Sequence, residues 1–184
     1  NADLSSQRIT DFLKFLGDEN LQRSFFNKYF KTFVKTDKSI IIDTTSLPNQ
    51  IHIPMTAWGR SGEEIDKQIR FLLVVDKDTE YPIYFRTLPG NIVDVSAFKN
   101  TINELKQYDV KNSFVFVDAG FFSEDNIKEL YAQNINFLTR LPSGRILYKE
   151  LIANEVKDLE SPRNIVKYGK KRGLFIKQVE INLF

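Results

Sequence analysis

The sequence predicts an α/β domain: a mixed five-stranded sheet flanked by helices, with a helical pair before it and the start of a β-rich element after it. Three observations carry that expectation. Residues 38–48 read KSIIIDTTSLP, and the β-branched run Ile40, Ile41, Ile42 contains no polar residue, as in a strand buried on both faces. Residues 113–122 read SFVFVDAGFF and repeat the design, with Phe114, Val115, Phe116 and Val117 leading into Asp118 as the isoleucines lead into Asp43. Around these two segments, short apolar runs and helical periodicities follow the order β-β-β-α-β-α-β, which builds a mixed sheet with helices on its faces.

At the N-terminus, Ile9, Phe12, Leu13 and Leu16 recur at the spacing of one helical face and Gly17 supplies a stop. A second helix, from Glu19 to Phe33, places Leu21, Phe25, Tyr29 and Phe33 on one stripe, with Phe26 and Phe30 beside it. These aromatics are expected to pack the helical pair onto the domain that follows. After the first strand, residues 48–64 carry His52, Pro54, Trp58, Gly59, Arg60 and Gly62 and read as a loop. IRFLLVVD and YPIYFRTLP then flank DKDTE, whose acids and threonine suit a hairpin connection, and Pro82 belongs at an edge or a strand start.

Asp94 can cap a helix whose inward face is Val95, Phe98, Ile102 and Leu105. The second aspartate strand comes next. Ser123 then caps a helix with Glu124 and Asp125 in its first turn and Ile127, Leu130 and Tyr131 facing inward, and INFLTRLP supplies the last strand of the core. ILYKELIANEVKDLES reads as a helix through Leu147, Leu151, Ile152 and Val156. Tyr168 to Gly173 reads as a basic turn between two final strands. The expected divisions are a helical pair at 3–37, a core at 38–160 and the start of a β insertion at 161–184.

The bulk properties narrow the chemistry. At 184 residues, 42% hydrophobic and 27% charged, the chain suits one soluble domain with room for a real core. A net charge of +2 neither demands nor excludes nucleic acid. The absence of cysteine excludes disulfides, zinc thiolates and cysteine nucleophiles and fits a cytoplasmic setting. His52 is the only histidine, which argues against histidine-based triads and multi-histidine metal sites. No run is long enough to span a membrane and no signal-peptide pattern opens the chain, so a membrane partner is not expected. The apolar INLF at the end, without cap or polar tail, leads to the expectation of a fragment.

Topology brings the two aspartates together. The helix between the third and fourth expected strands crosses over to the far side of the first, which makes the first and fourth strands parallel neighbours. Asp43 and Asp118 then end their strands at the same carboxyl edge, where open α/β sheets place their sites. Neighbouring strands lie about 5 Å apart, so the two carboxylates are candidates to share a divalent ion.

The phrases IIIDTTSL, GRSGEE, FLLVVDKDTEYPIYFRTLPGNIVDVSAF and FVFVDAGFFSEDNIKEL, in that order, resemble the catalytic domain of DDE transposases from bacterial insertion sequences. The likeness covers residues 38–141. It implies a ribonuclease-H-like fold in which Asp43 and Asp118 match the first two acids of a triad. It also implies catalytic and metal-binding roles for both, with a two-metal Mg2+ site that accepts Mn2+ as substitute. The implied reaction is endonucleolytic cleavage and strand transfer of DNA, with transposon ends and target as partners and a homodimer expected for the complete protein. Arg60, Arg140, Lys170, Lys171 and Arg172 are the candidate phosphate-backbone contacts, with Lys67, Arg70 and Arg145 as further basic positions.

The sequence departs from the family pattern at the third acid. A glutamate on a late helix, within a signature of Tyr, Arg and Lys, is expected after a β-rich insertion, and no such signature occurs here. Glu150 and Glu155 lie on the helix where a member without an insertion carries that glutamate. Asp94 also matches a recurrent family position, which helix capping explains; Asp76 and Asp78 read as turn residues, and Thr44, Thr45 and Ser46 as local supports of the Asp43 loop. Three functions stay open: a transposase core incomplete in this piece, an inactive or domesticated domain that only binds DNA or a partner, and an actin-like sugar kinase. The last needs a glycine where Thr45 stands.

Overall fold

A computed structural model of the chain describes residues 5–33, 38–61, 64–108, 112–169 and 172–181. Helices α1 (Ser6–Leu16) and α2 (Glu19–Phe33) lead into strands β1 (Lys38–Pro48), β2 (Ala57–Ser61), β3 (Glu64–Asp76) and β4 (Pro82–Pro89). Helix α3 (Asp94–Gln107), strand β5 (Asn112–Val117), helix α4 (Glu124–Ala132) and strand β6 (Asn136–Thr139) follow. Helix α5 (Ile146–Leu159) and strands β7 (Ile165–Tyr168) and β8 (Arg172–Phe175) complete the order. The described residues belong to two compact units, 1–140 and 141–184.

The first unit holds a six-stranded mixed sheet, one strand more than expected. β1 is antiparallel to β3 and parallel to β5, and β5 is parallel to β6. This is the ribonuclease-H-like arrangement implied by the resemblance, with the two aspartate strands side by side. The extra strand is β2, within the stretch expected to be a loop. β3 is long enough to pair with β4 from Ile69 to Val75 and with β2 from Glu64 to Gln68. The strand escapes a periodicity reading because Gly59 interrupts it, and the structure explains that glycine. A Cβ there would lie 2.0 Å from the Gly90 carbonyl oxygen, and one on Gly90 would lie 2.1 Å from that of Gln68. Only glycines allow β2 and the end of β4 to meet over the buried Gln68, whose Nε2 donates to Gly90 O at 3.2 Å.

Burial follows a period of two on β1. Ile40 and Ile42 are sealed in the core with Leu72, Val74 and Val115, whereas Ile41 is 40% exposed. The expectation of a strand buried on both faces is therefore corrected: a run of three isoleucines cannot distinguish two-sided from one-sided burial. Helix α3 covers the buried face with Phe98, Ile102 and Leu105, and Leu130 of α4 joins them. The helical pair contributes through α2: Phe26 and Phe30 meet Tyr84 and Tyr108, and Tyr29 of the expected stripe packs on the core and donates its hydroxyl to Pro82 O at 2.8 Å. Phe25 and Phe33 of that stripe are exposed, and α1 buries no residue. Tyr131, expected to face inward, is also exposed and lies edge-on to Phe137.

Several local signals act as expected. Gly17 closes α1, and Ser123 Oγ accepts the Asn126 amide at 3.1 Å to cap α4. Asp76 Oδ1 accepts the amides of Asp78 and Thr79 in the hairpin turn, and Pro82 opens β4. In the second unit, Lys177 bridges Asp158, at 2.6 Å, and Glu155. The Asp158 carboxyl is held below its ordinary range, chiefly by the hydrogen bond from Lys177, and the Lys177 ammonium is held above its own by Asp158 and then Glu155. Among the described residues, no helix is long and apolar enough to cross a membrane.

Two outcomes test this description. Ile42→Ala should cost about 3 kcal/mol in urea denaturation, as a cavity in a closed core, and Ile41→Ala less than about 1 kcal/mol. Equal losses would contradict one-sided burial. The Lys177 bridge stabilises above the ordinary Asp158 value of 3.8 and below the ordinary Lys177 value of 10.5. Its contribution is lost as pH falls through the depressed carboxyl value or rises through the elevated ammonium value. Limited proteolysis of the segment after β8 should therefore stay flat across that window and accelerate at both ends.

Candidate active site

The parallel register of β1 and β5 pairs Ile41 with Phe116 and Ile42 with Val117. Asp43 and Asp118 each stand one residue beyond the last pair, on strands whose axes lie about 4.8 Å apart. Asp43 does not end its strand, contrary to the sequence expectation. β1 continues to Pro48 because the long β3 goes on pairing with it, and only the β5 side lets go after Ile42. Asp43 thus occupies a strand position with one edge held and the other open. It shares the phase of Ile41, on the exposed face, and its Oδ1 accepts the Thr44 amide at 2.8 Å.

Asp118 leads from β5 into a single 3₁₀ turn, Ala119–Phe121. Its carbonyl oxygen accepts the Phe121 amide at 3.1 Å and the Thr139 hydroxyl at 3.4 Å, so the backbone is anchored on both sides. Phe121 is buried against Phe98 and pins the turn to α3. The side chain stays 62% exposed, with Arg140 Nη2 at 3.5 Å from its Oδ1. Both carboxylates line one open cavity of about 550 Å³, together with Ile41, Phe116, Leu138 and Arg140.

Beneath this rim lies a polar network that sequence reasoning missed. Asp94 does not cap α3 with its side chain; Val93 holds the cap position and Asp94 is the first helical residue. Its Oδ1 instead accepts the Thr44 hydroxyl at 2.6 Å and pairs with Arg70 Nη2 at 2.6 Å. Arg70 Nη2 also donates to Thr44 Oγ1 at 2.8 Å. Arg70 is therefore not a phosphate contact on the surface, since its side chain is only 16% exposed. These partners lie 26 and 50 residues apart, beyond any local pattern.

The remaining candidates are dispersed. Arg60 is exposed on β2, opposite Ile65 of β3, and is not among the residues lining the cavity. Arg172 opens β8 in the second unit, while Lys170 and Lys171 lie outside the described residues. Glu150 is exposed on α5, and Glu155 on the same helix is engaged by Lys177. Among the described residues, no three of His, Cys, Asp and Glu group in a way that could hold a metal. The two aspartates alone are a hard oxygen donor set. That set fits a divalent cation that takes one or two carboxylates and completes its shell with water and substrate oxygens.

Comparison with known proteins supplies the family. The profile for the transposase DDE domain matches residues 35–180. No curated protein matches the sequence. Among solved structures, the chain is similar to a piggyBac transposase synaptic complex with hairpin DNA, at 19% identity and TM-score 0.49 over 65% of this chain and 26% of that one. It is similar to the Mos1 transposase paired-end complex with left transposon end, at 14% identity and TM-score 0.38 over 72% and 46% of the two chains. The HTLV-2 integrase catalytic core domain in complex with magnesium shows 10% identity and TM-score 0.41 over 67% and 69%. The chain thus spans about a quarter to a half of the two transposases.

The energetics of the two arginine pairs should differ. Arg70→Ala removes hydrogen bonds to a half-buried carboxylate and should cost about 2 kcal/mol of stability. Arg140→Ala removes an exposed pair and should cost no more than about 0.5 kcal/mol. Chemical denaturation of the two variants measures both, and a reversed order would contradict the burial described.

Proposed function

We propose, because this chain belongs to the transposase DDE domain family, that it carries the catalytic core of a transposase that cleaves DNA phosphodiesters and transfers the cut strand. The observation that supports this reading most directly is the pair of aspartates at one cavity rim, brought side by side by the parallel β1 and β5. In this reading Asp43 and Asp118 are catalytic residues that hold divalent cations, Mg2+ with Mn2+ as substitute. When bound, such ions activate the attacking hydroxyl and stabilise the leaving oxygen.

The chain's own residues have three tasks. Asp43, steadied by the Thr44 amide, and Asp118, anchored through its carbonyl, keep negative oxygens at fixed places on the rim. Arg140 stands where a phosphate oxygen would approach and replaces one anionic partner with another. In the proposed displacement the oxygen of water or of a terminal 3′-hydroxyl forms the new P–O bond as the opposite P–O bond breaks, its proton passing to solvent and the leaving oxygen taking a proton from solvent. Arg60, Lys170, Lys171 and Arg172 are proposed as phosphate contacts farther along the DNA. The third carboxylate of the centre is proposed to come from outside the described residues, in keeping with the absence of a three-acid group among them. A homodimer that brings two transposon ends together completes the proposal.

In the full-length protein, Asp43→Ala and Asp118→Ala should each abolish strand cleavage, with DNA binding by gel shift within about threefold of wild type, because phosphate contacts carry the affinity. Near-normal cleavage by either variant in a Mg2+ assay would remove the mechanism.

A further inference from the structure

We propose that Arg70, Thr44 and Asp94 form a clasp that sets the spacing between Asp43 and Asp118, acting as positioning residues for the site; this rests on reading those aspartates as the metal-binding pair. Each end of the clasp is visible. On the Asp43 side, Thr44 is the next residue along β1 and gives its hydroxyl proton to Asp94 while accepting from Arg70. The Thr44 amide at the same time fixes the Asp43 carboxylate, so one residue couples the site to the network.

On the Asp118 side, the other oxygen of Asp94 faces Gly120, two residues after Asp118. A Cβ on Gly120 would lie 2.8 Å from Asp94 Oδ2, so a side chain there would force the Asp94 carboxylate, held by Arg70 and Thr44, to turn. Asn126, buried at the start of α4, closes the same junction: its Nδ2 donates to Val95 O at 3.1 Å and to Phe121 O at 2.9 Å. The first turn of α3 is thereby tied to both segments that carry the aspartates. Arg70, from β3, neutralises the carboxylate at their meeting point and fixes which way it turns. A hydroxyl held between a cation and an anion has one favoured orientation, so Thr44 is confined more tightly than a strand residue held by backbone pairing alone.

The test measures Mn2+ affinity directly, by electron paramagnetic resonance titration of the chain, without DNA and independent of turnover. Thr44→Val keeps the shape and removes the hydroxyl, and Thr44→Ser restores it. Mn2+ binding should weaken about tenfold in Thr44→Val, a typical effect of removing a group that orients a metal ligand, and return to within about twofold in Thr44→Ser. Gly120→Ala attacks the clasp from the other loop, should weaken binding by a similar about tenfold factor, and carries the test should Thr44→Val not fold. A purely structural role would lower denaturation midpoints while leaving the affinity of the folded variants unchanged. Folded Thr44→Val and Gly120→Ala that both bind Mn2+ as wild type does, while Asp43→Ala does not, would overturn the clasp and spare the metal site. Wild type binding no better than Asp43→Ala would overturn the metal-site reading and the clasp with it.

Discussion

The parallel pairing of β1 with β5 is the constraint on which the site depends. Antiparallel neighbours can be joined by a short turn, but parallel ones need a crossover, and here α3 is that crossover. Its apolar face, Phe98, Ile102 and Leu105, lies over Ile40, Ile42 and Val115. Each of these buried side chains contributes roughly 1.5–3 kcal/mol, far more than any polar contact at the rim. The core thus decides the register, and the register decides that Asp43 and Asp118 end up adjacent. The carboxylates themselves contribute nothing to this; mutual repulsion opposes it.

That division of labour explains the polar network beneath the rim. Hydrophobic burial is nearly indifferent to small rotations of a strand-end loop, whereas hydrogen bonds fix direction. Arg70 and Asp94 are mostly removed from water, so each would cost stability alone; Asp94 Oδ1 and the Thr44 hydroxyl are paired through Arg70 Nη2, while Arg70 Nε is buried without a partner among the described residues. Such an arrangement adds little net stability over a well-packed apolar one. What it adds is a defined geometry next to Asp43 and Gly120, where two aspartate-bearing segments meet the start of one helix.

The extent to which this was legible in the sequence follows from the range of each interaction. Helices α1 and α2, the Ser123 cap and the Asp76 turn are local, written within a few residues, and α2 spans the stretch expected. The adjacency of the two aspartate strands is not local, yet it follows from crossover handedness, which holds for nearly all sheets. β2 was not legible, since its reason for pairing is the contact of Gly59 with Gly90, thirty-one positions away. The role of Asp94 was misread because capping is a sufficient local explanation for an aspartate at a helix start. Nothing near it announces Arg70 or Thr44. One-sided burial of β1 was hidden for a simpler reason: isoleucine suits a strand on either face.

The pairing of Asp118 with Arg140 at the rim is weak, in contrast to the network beneath it. An exposed pair at 3.5 Å, with both side chains more than half in water, is worth no more than about 0.5 kcal/mol. The Arg70 to Asp94 pair is shorter, at 2.6 Å, and much less exposed, and the Thr44 hydroxyl reinforces it. The two arginines therefore play opposite parts within one unit. Arg70 cannot leave its carboxylate without stranding a half-buried charge, so it holds. Arg140 can exchange Asp118 for another anion at almost no cost, and Asp118 can then exchange Arg140 for another cation. In the proposed function the rim takes a cation and a phosphate together, which calls for groups bound this loosely at the surface over a framework held by Arg70, Asp94 and Thr44.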